Sequence, residues 1–250
     1  MIVFPFILYF KTWRTISFVK SLAVAFSIGP IYALLAFGGF MFSPAFHGGV
    51  FMNGFLPFIV VLLGFIFGQR IKLLQLVGIT FILWGSTIIL FEAQGFSQKN
   101  SWFGDVLFIL AAFFLAVFMN LVKKWNLQYI QILYCICLVN AVFYLPFWFF
   151  LLPSGIESFN IFWHDQNVII NVLFQGFIPN LLGLFLTAYS AKIIGPPKAS
   201  AVLAAVPTTG ALLGFLLLSE TPTLFGWVSL VVVSIGILMV VIKGDDIGKS

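Results

Sequence analysis

Eight stretches of this sequence each run for about 20 residues or more with few polar interruptions. They lie at 20–42, 47–68, 73–92, 102–122, 129–152, 167–191, 198–219 and 223–242. A helix rises about 1.5 Å per residue, so such a stretch crosses a hydrocarbon core of about 30 Å. Lipid offers no partner for backbone N–H and C=O groups, so continuous apolar runs of this length must be helices. The remainder of the sequence agrees. Only 8% of the residues are charged, against about 25% in soluble domains, so a water-facing surface cannot be assembled. The expected fold is an all-α integral membrane protein, a polytopic helix bundle. The opening MIVFPFILYF reaches only about 15 Å as a helix and reads as a half-helix, not as a secretory signal, because its apolar run precedes its basic residues.

The charges predict an orientation. The formal net charge of +5 is spread in ones, twos and threes between apolar runs, which suits topology signals and not nucleic-acid binding. Lys11, Arg14, Lys20, Arg70, Lys72, Lys123, Lys124, Lys192, Lys198, Lys243 and Lys249 all fall on alternate connectors. The other connectors hold Lys99 with Glu92, Asp105, Glu157, Asp165 and Glu220. Because Lys and Arg mark the cytoplasmic side, both termini are expected in the cytoplasm, with residues 244–250 as a cytoplasmic tail.

Part of the sequence occurs twice. Pro57 and Gly64 recur 150 residues later as Pro207 and Gly214, and Gly85 recurs 151 later as Gly236. Pro30 precedes Pro57 much as Pro179 precedes Pro207. The three helices from 20 to 92 thus match the three from 167 to 242. The second unit, 102–243, has five helices, and a unit with an odd number of spans inserts the other way up when repeated. The expected organisation is two inverted repeats, a construction typical of secondary transporters. Residues 1–92 then form an incomplete first repeat, a half-helix plus three helices, giving eight full spans.

The residues also carry a resemblance. Gly104-Asp105 followed by LFILAAFFLAVFMNLVKK, the Ser200-to-Pro207 and Gly214-to-Glu220 segments closed by Pro222, and the terminal VVVSIGILMVVIKG resemble the EamA-like members of the drug/metabolite transporter superfamily. That resemblance implies ten helices in two five-helix inverted repeats, so a first helix and part of a second are expected to be missing here. It implies a cell (inner) membrane carrier for amino-acid-like, nucleoside-like or drug-like solutes. Where such proteins usually have Gly-Glu, this sequence has Gly68-Gln69.

Individual residues carry further expectations. Gly64, Gly68, Gly210 and Gly214 are small residues four apart that let helices approach; packing within the bundle is expected before a homodimer contact. Pro30, Pro57, Pro179 and Pro207 each remove a backbone donor and kink a helix, either as hinges or as fixed bends. Polar groups inside spans must be paired or line a cavity. Asn53, Asn120, Asn140, Gln175, Asn180 and Tyr189 are the substrate-cavity candidates, with interhelical hydrogen bonding, or for Tyr189 an interfacial anchor, as the structural alternative. Thr187, Ser200, Thr208 and Thr209 are polar as well, and Ser200, Thr208 and Thr209 suit bonding to their own helix carbonyls. No Asp, Glu, Lys or Arg lies mid-span, which favours facilitated exchange or coupling through the missing helices. His47 and His164 are expected at the surface. Cys135 and Cys137, two apart, do not face each other and are expected as free thiols. No catalytic cluster, metal-ligand spacing or cofactor motif is present in the sequence.

The expected function is therefore a secondary transporter working by alternating access on a small-molecule substrate within the lipid bilayer, and no enzyme. The alternative is an inactive or truncated transporter, or a non-catalytic membrane assembly subunit.

Overall fold

The computed structural model describes residues 9–43, 47–68, 72–92, 101–142, 146, 150, 166–209 and 224–242. These residues are almost all helical and include no strand. Helix α1 (Phe18–Ile28) and α2 (Pro30–Phe42) form one span broken at Gly29-Pro30. A π-helix (Gly48–Gly54) leads into α3 (Leu56–Ile66), and α4 (Leu73–Glu92) and α5 (Ser101–Lys124) follow. Helix α6 (Tyr129–Leu133) continues into a π segment (Tyr134–Val139). Helix α7 (Gln166–Phe177) passes through a π segment (Ile178–Gly183) into α8 (Leu184–Ile193). Helices α9 (Pro196–Leu203) and α10 (Leu224–Ile242) complete the order.

Among the described residues, five segments are long and apolar enough to cross a membrane: Phe18–Phe42, Gly48–Ile66, Ser101–Lys124, Ile169–Ile193 and Leu224–Val241. Leu73–Ile88 and Tyr129–Val142 are shorter apolar helices. The chain is an all-α polytopic membrane protein. The expected spans 129–152 and 198–219 run past the described residues, as do MIVFPFIL, Gly210, Gly214, Glu220 and the turn at Gln69-Arg70.

Helix α5 is the centre of the bundle. Lys123 and Lys124 in its last turn complement the negative end of the helix dipole. Asn126 then takes a left-handed conformation (φ 47°), and the Leu127 N–H returns to the Val122 carbonyl at 3.1 Å, a six-to-one closing bond that ends the helix. Along its length Phe108, Ala111, Ala112, Ala116, Phe118, Met119 and Val122 are fully buried. The alanines let α1 and α3 come close, and Phe118 and Met119 fill the space with Val24, Leu56, Val60 and Ile132. Between helices in lipid such packing is chiefly van der Waals contact, because the solvent is as apolar as the side chains.

Helices α4 and α10 make the most extensive contact in the molecule. They run antiparallel: Gly78 lies beside Gly236 and Val240, while Gly85 lies beside Val233. A Cβ added to Gly236 would come within 2.6 Å of the Gly78 carbonyl and 2.8 Å of the Ile82 nitrogen. One added to Gly85 would come within 2.9 Å of the Val233 nitrogen. Ser229 Oγ donates to the Gly85 carbonyl at 2.6 Å.

The contacts are reciprocal. Adding 151 turns Gly78, Ile82 and Gly85 into Ser229, Val233 and Gly236. Gly236 against Ile82 then mirrors Gly85 against Val233, and Gly78 against Gly236 mirrors Ser229 against Gly85. Ile82 and Val233, both fully buried, sit at the crossing.

Candidate functional site

Three arrangements of polar groups stand out in the apolar frame. One is a carboxamide ladder on residues 166–183. Asn167, Asn171 and Gln175 are four apart, which places them on one helix face, and Asn180 follows five later through a π segment whose wider turn extends that face. Every residue from 171 to 180 is exposed. Pro179 explains the local geometry. Having no N–H, it cannot donate to the Gln175 carbonyl; Asn180 Nδ2 does so instead, at 2.6 Å. Asn171 Nδ2 similarly donates to the Asn167 carbonyl at 2.9 Å. Ile170, Val172, Leu173 and Phe174 are exposed as well, so the helix presents apolar surface suited to lipid alongside a polar strip that is not.

The second arrangement corrects the reading of His47 as a surface histidine. His47 is fully buried, and Asp105, in the second turn of α5, is only 9% exposed. His47 Nδ1 lies 2.6 Å from Asp105 Oδ1. Ser43 Oγ, at the end of α2, lies 2.6 Å from the Ser101 carbonyl and 3.1 Å from the same Asp105 oxygen. Glycines make the junction possible. A Cβ on Gly104 would come within 2.7 Å of the Gly39 carbonyl, and one on Gly39 would enter the ring of Phe108. Sequence reasoning missed this pair because His47 falls between two spans and carries no depth marker. The glycines beside it (Gly48, Gly49) and beside Asp105 (Gly104) were the available signal of close packing.

The third arrangement gathers cations at the opposite end of α5. Lys123 Nζ donates to the Lys192 carbonyl at 2.8 Å, and Lys192 Nζ donates to the Leu127 carbonyl at 3.2 Å. The Lys20 ammonium lies 5.5 Å from the Trp125 ring centre and that of Lys124 lies 4.6 Å from the Phe67 ring. Four lysines from three connectors thus meet at one end.

The remaining candidates are spread through the bundle. Asn120 is fully buried and donates to the Val60 and Ala116 carbonyls at 3.2 and 2.9 Å, tying α5 to α3. Asn140 places its buried Nδ2 against Gly29 at the α1–α2 break, without a hydrogen-bond partner there. Asn53 is half-buried in the first π-helix. Tyr189 is exposed and stacks on Phe185, with ring centres 5.6 Å apart; with Tyr129 and Lys192 they line a cleft of about 200 Å³. Tyr129 also donates to the Leu181 carbonyl at 2.9 Å, holding α6 to the π segment Ile178–Gly183.

All four prolines lie at irregular points: Pro30 at the break before α2, Pro57 just after a π-helix, Pro179 within one, and Pro207 just after the Ala204-Ala205 turn. Gly64 is buried in α3. Gly68 has a positive φ of 79° and open space around it, so it ends α3 and packs against nothing. Cys135 and Cys137 are free thiols.

A polytopic bundle of apolar helices, with its polar groups held on helix faces and at helix junctions, defines an integral membrane protein. The EamA-like transporter family matches residues 102–242, and the chain belongs to it. Members of that family are membrane transporters of small solutes, not enzymes. Comparison with curated proteins finds no match.

Proposed function

We propose that this protein carries small polar solutes of no net charge across the membrane by alternating access between two inverted helical units, residues 1–92 and 102–243. The observation that supports this most is the reciprocal α4–α10 contact. Repeats related by an axis in the membrane plane bring equivalent helices together antiparallel, with each contact matched by its counterpart. Alternating access works by exchange of conformations between two such inverted units around a shared contact.

The solute path runs along the carboxamide ladder. Asn167, Asn171, Gln175 and Asn180 span 14 residues, or about 20 Å of helix, more than half the hydrocarbon thickness. Carboxamides both donate and accept hydrogen bonds, so a nucleoside-like or amide-bearing solute could exchange water for successive side chains. Amino-acid-like solutes fit in their zwitterionic form. Pro30, Pro57, Pro179 and Pro207 are the joints about which the helices bend, and Asn53, Asn140 and Tyr189 extend the solute-facing surface. The lysine-rich end of α5 faces the cytoplasm.

Reconstituted vesicles loaded with a panel of labelled nucleosides, amino acids and neutral drug-like solutes test this reading. Saturable flux of at least one class, lost on replacing Asn171 and Gln175 by Leu with the fold intact, is the expected result. Flux equal to that of protein-free vesicles for every class would reject it in favour of a non-transporting membrane subunit.

A further inference from the structure

We propose that the His47–Asp105 pair is a proton-binding latch that holds one end of the bundle closed. Three segments meet there: the end of α2 through Ser43, the start of the first π-helix through His47, and the first turns of α5 through Ser101 and Asp105. Bonds between these segments converge on one Asp105 carboxylate oxygen and the nearby Ser101 carbonyl.

The charge balance sets how the latch responds. With one proton on the imidazole–carboxylate pair beyond the neutral histidine, the pair is an imidazolium and a carboxylate and carries no net charge. Removing that proton leaves one buried net negative charge, and adding a second leaves one net positive charge. Either costs desolvation energy that the neutral pair avoids. The closed junction is therefore favoured in the singly protonated form, and opening to water is favoured on either side of it. The amino-terminal end of α5 favours a negative charge at Asp105.

Among the described residues of the helices packed against the junction, other charged side chains are few. Helix α2 and residues 48–66 contain no ionisable carboxylate or amine, and α5 has only Lys123 and Lys124, at its far end. Of the other helices against the π-helix, α4 ends in Glu92 and α9 begins with Lys198 two residues inside it. Proton exchange at the pair thus changes the charge of the junction itself.

The latch also sits where a small change would propagate. His47 immediately precedes the π-helix Gly48–Gly54, which runs into Pro57. On that π-helix a Cβ at Gly49 would lie 3.0 Å from Pro207. Releasing His47 from Asp105 frees a segment already wound in the less stable π form, in contact with a proline of the other unit. For transport, a step that rests on the carrier reading, proton uptake and release at this end would then bias which end of the bundle is closed.

The test uses the whole protein in lipid nanodiscs. His164→Gln leaves His47 as the sole histidine, so ¹⁵N resonances of its ring report its protonation between about pH 5 and 9. Nitroxides on Phe42→Cys and Phe103→Cys, whose rings are 4.9 Å apart beside the junction, report opening through loss of dipolar broadening, in a background with Cys135→Ala and Cys137→Ala. Broadening that is greatest where His47 is protonated and falls as it deprotonates supports the latch. The same fall should vanish in His47→Gln/Asp105→Asn, which keeps a hydrogen bond without the charges. Broadening that ignores pH while His47 titrates, or a His47 that does not titrate at all, overturns the proposal even if the double variant fails to fold. Vesicle flux is measured separately: no flux beside an intact pH response rejects the carrier reading and leaves the latch standing.

Discussion

The α4–α10 seam and the helix from Gln166 to Gly183 draw on similar apolar residues, yet their packing is opposite. At the seam, glycines bring two backbones together, and a side-chain hydrogen bond from Ser229 to Gly85 crosses it. Residues 170–180 all stand exposed, and five carboxamides along 166–183 interrupt the apolar surface. Space around glycine shows the difference: Gly236 has three atoms where its Cβ would be, whereas Gly176 has none within 4 Å. A seam with no room to adjust is suited to holding two units at a fixed crossing. A helix with an unpacked polar face is suited to meeting something that comes and goes.

The sharpest way to break this contrast is the same substitution in both places. Gly236→Leu drives a side chain into the Gly78 carbonyl and the Ile82 nitrogen, backbone atoms that cannot turn aside. A loss of about 3 kcal/mol or more is expected from overpacking, read as a lower unfolding midpoint in mixed micelles. Gly176→Leu should leave that midpoint unchanged or slightly raise it, since Gly is a poor helix residue. Equal damage at both sites would mean the two regions are not packed differently.

A second pair tests reciprocity. Gly85→Ala and Gly236→Ala place a methyl against equivalent backbone nitrogens, of Val233 and Ile82, so each should cost about 1–3 kcal/mol and the two should agree closely. A large difference between them would remove the two-fold relation between the helices.

Function should respond in the opposite sense. Asn171→Leu with Gln175→Leu should reduce vesicle flux at least about tenfold, equivalent to about 1.4 kcal/mol in the barrier, while the unfolding midpoint holds. Comparable losses in both readouts would make the ladder a packing element. The smallest effect expected is that of Ser229→Ala, which removes one interhelical hydrogen bond worth about 1 kcal/mol or less. The micelle midpoint should fall by a corresponding small amount, with flux retained.

Part of this organisation was legible from residues alone. The helix ends at 42, 73, 92 and 242 match the observed elements, and Gly85 and Gly236 were aligned before their contact was known. Gly78 was not, because its counterpart is Ser229 and a search for matching glycines passes over it. Gly68 was read as a packing residue from its spacing to Gly64, but its positive φ makes it the end of α3. The polar candidates could be named and not sorted. Asn120 turns out to bond two helix carbonyls, while Gln175 and Asn180 lie on the exposed ladder.

The reason lies in the solvent. Lipid imposes a length and composition on each span by itself, so the sequence determines that these segments are membrane helices, roughly where each begins and ends, and which connectors are basic. It does not determine how each helix is rotated. Inside a bilayer the packed and lipid-facing sides are equally apolar, so no moment marks the buried face as it does in water. Only the tertiary structure could bring His47 to Asp105 across 58 positions, set Gly78 against Gly236, and leave the carboxamides of 167–180 on an open face.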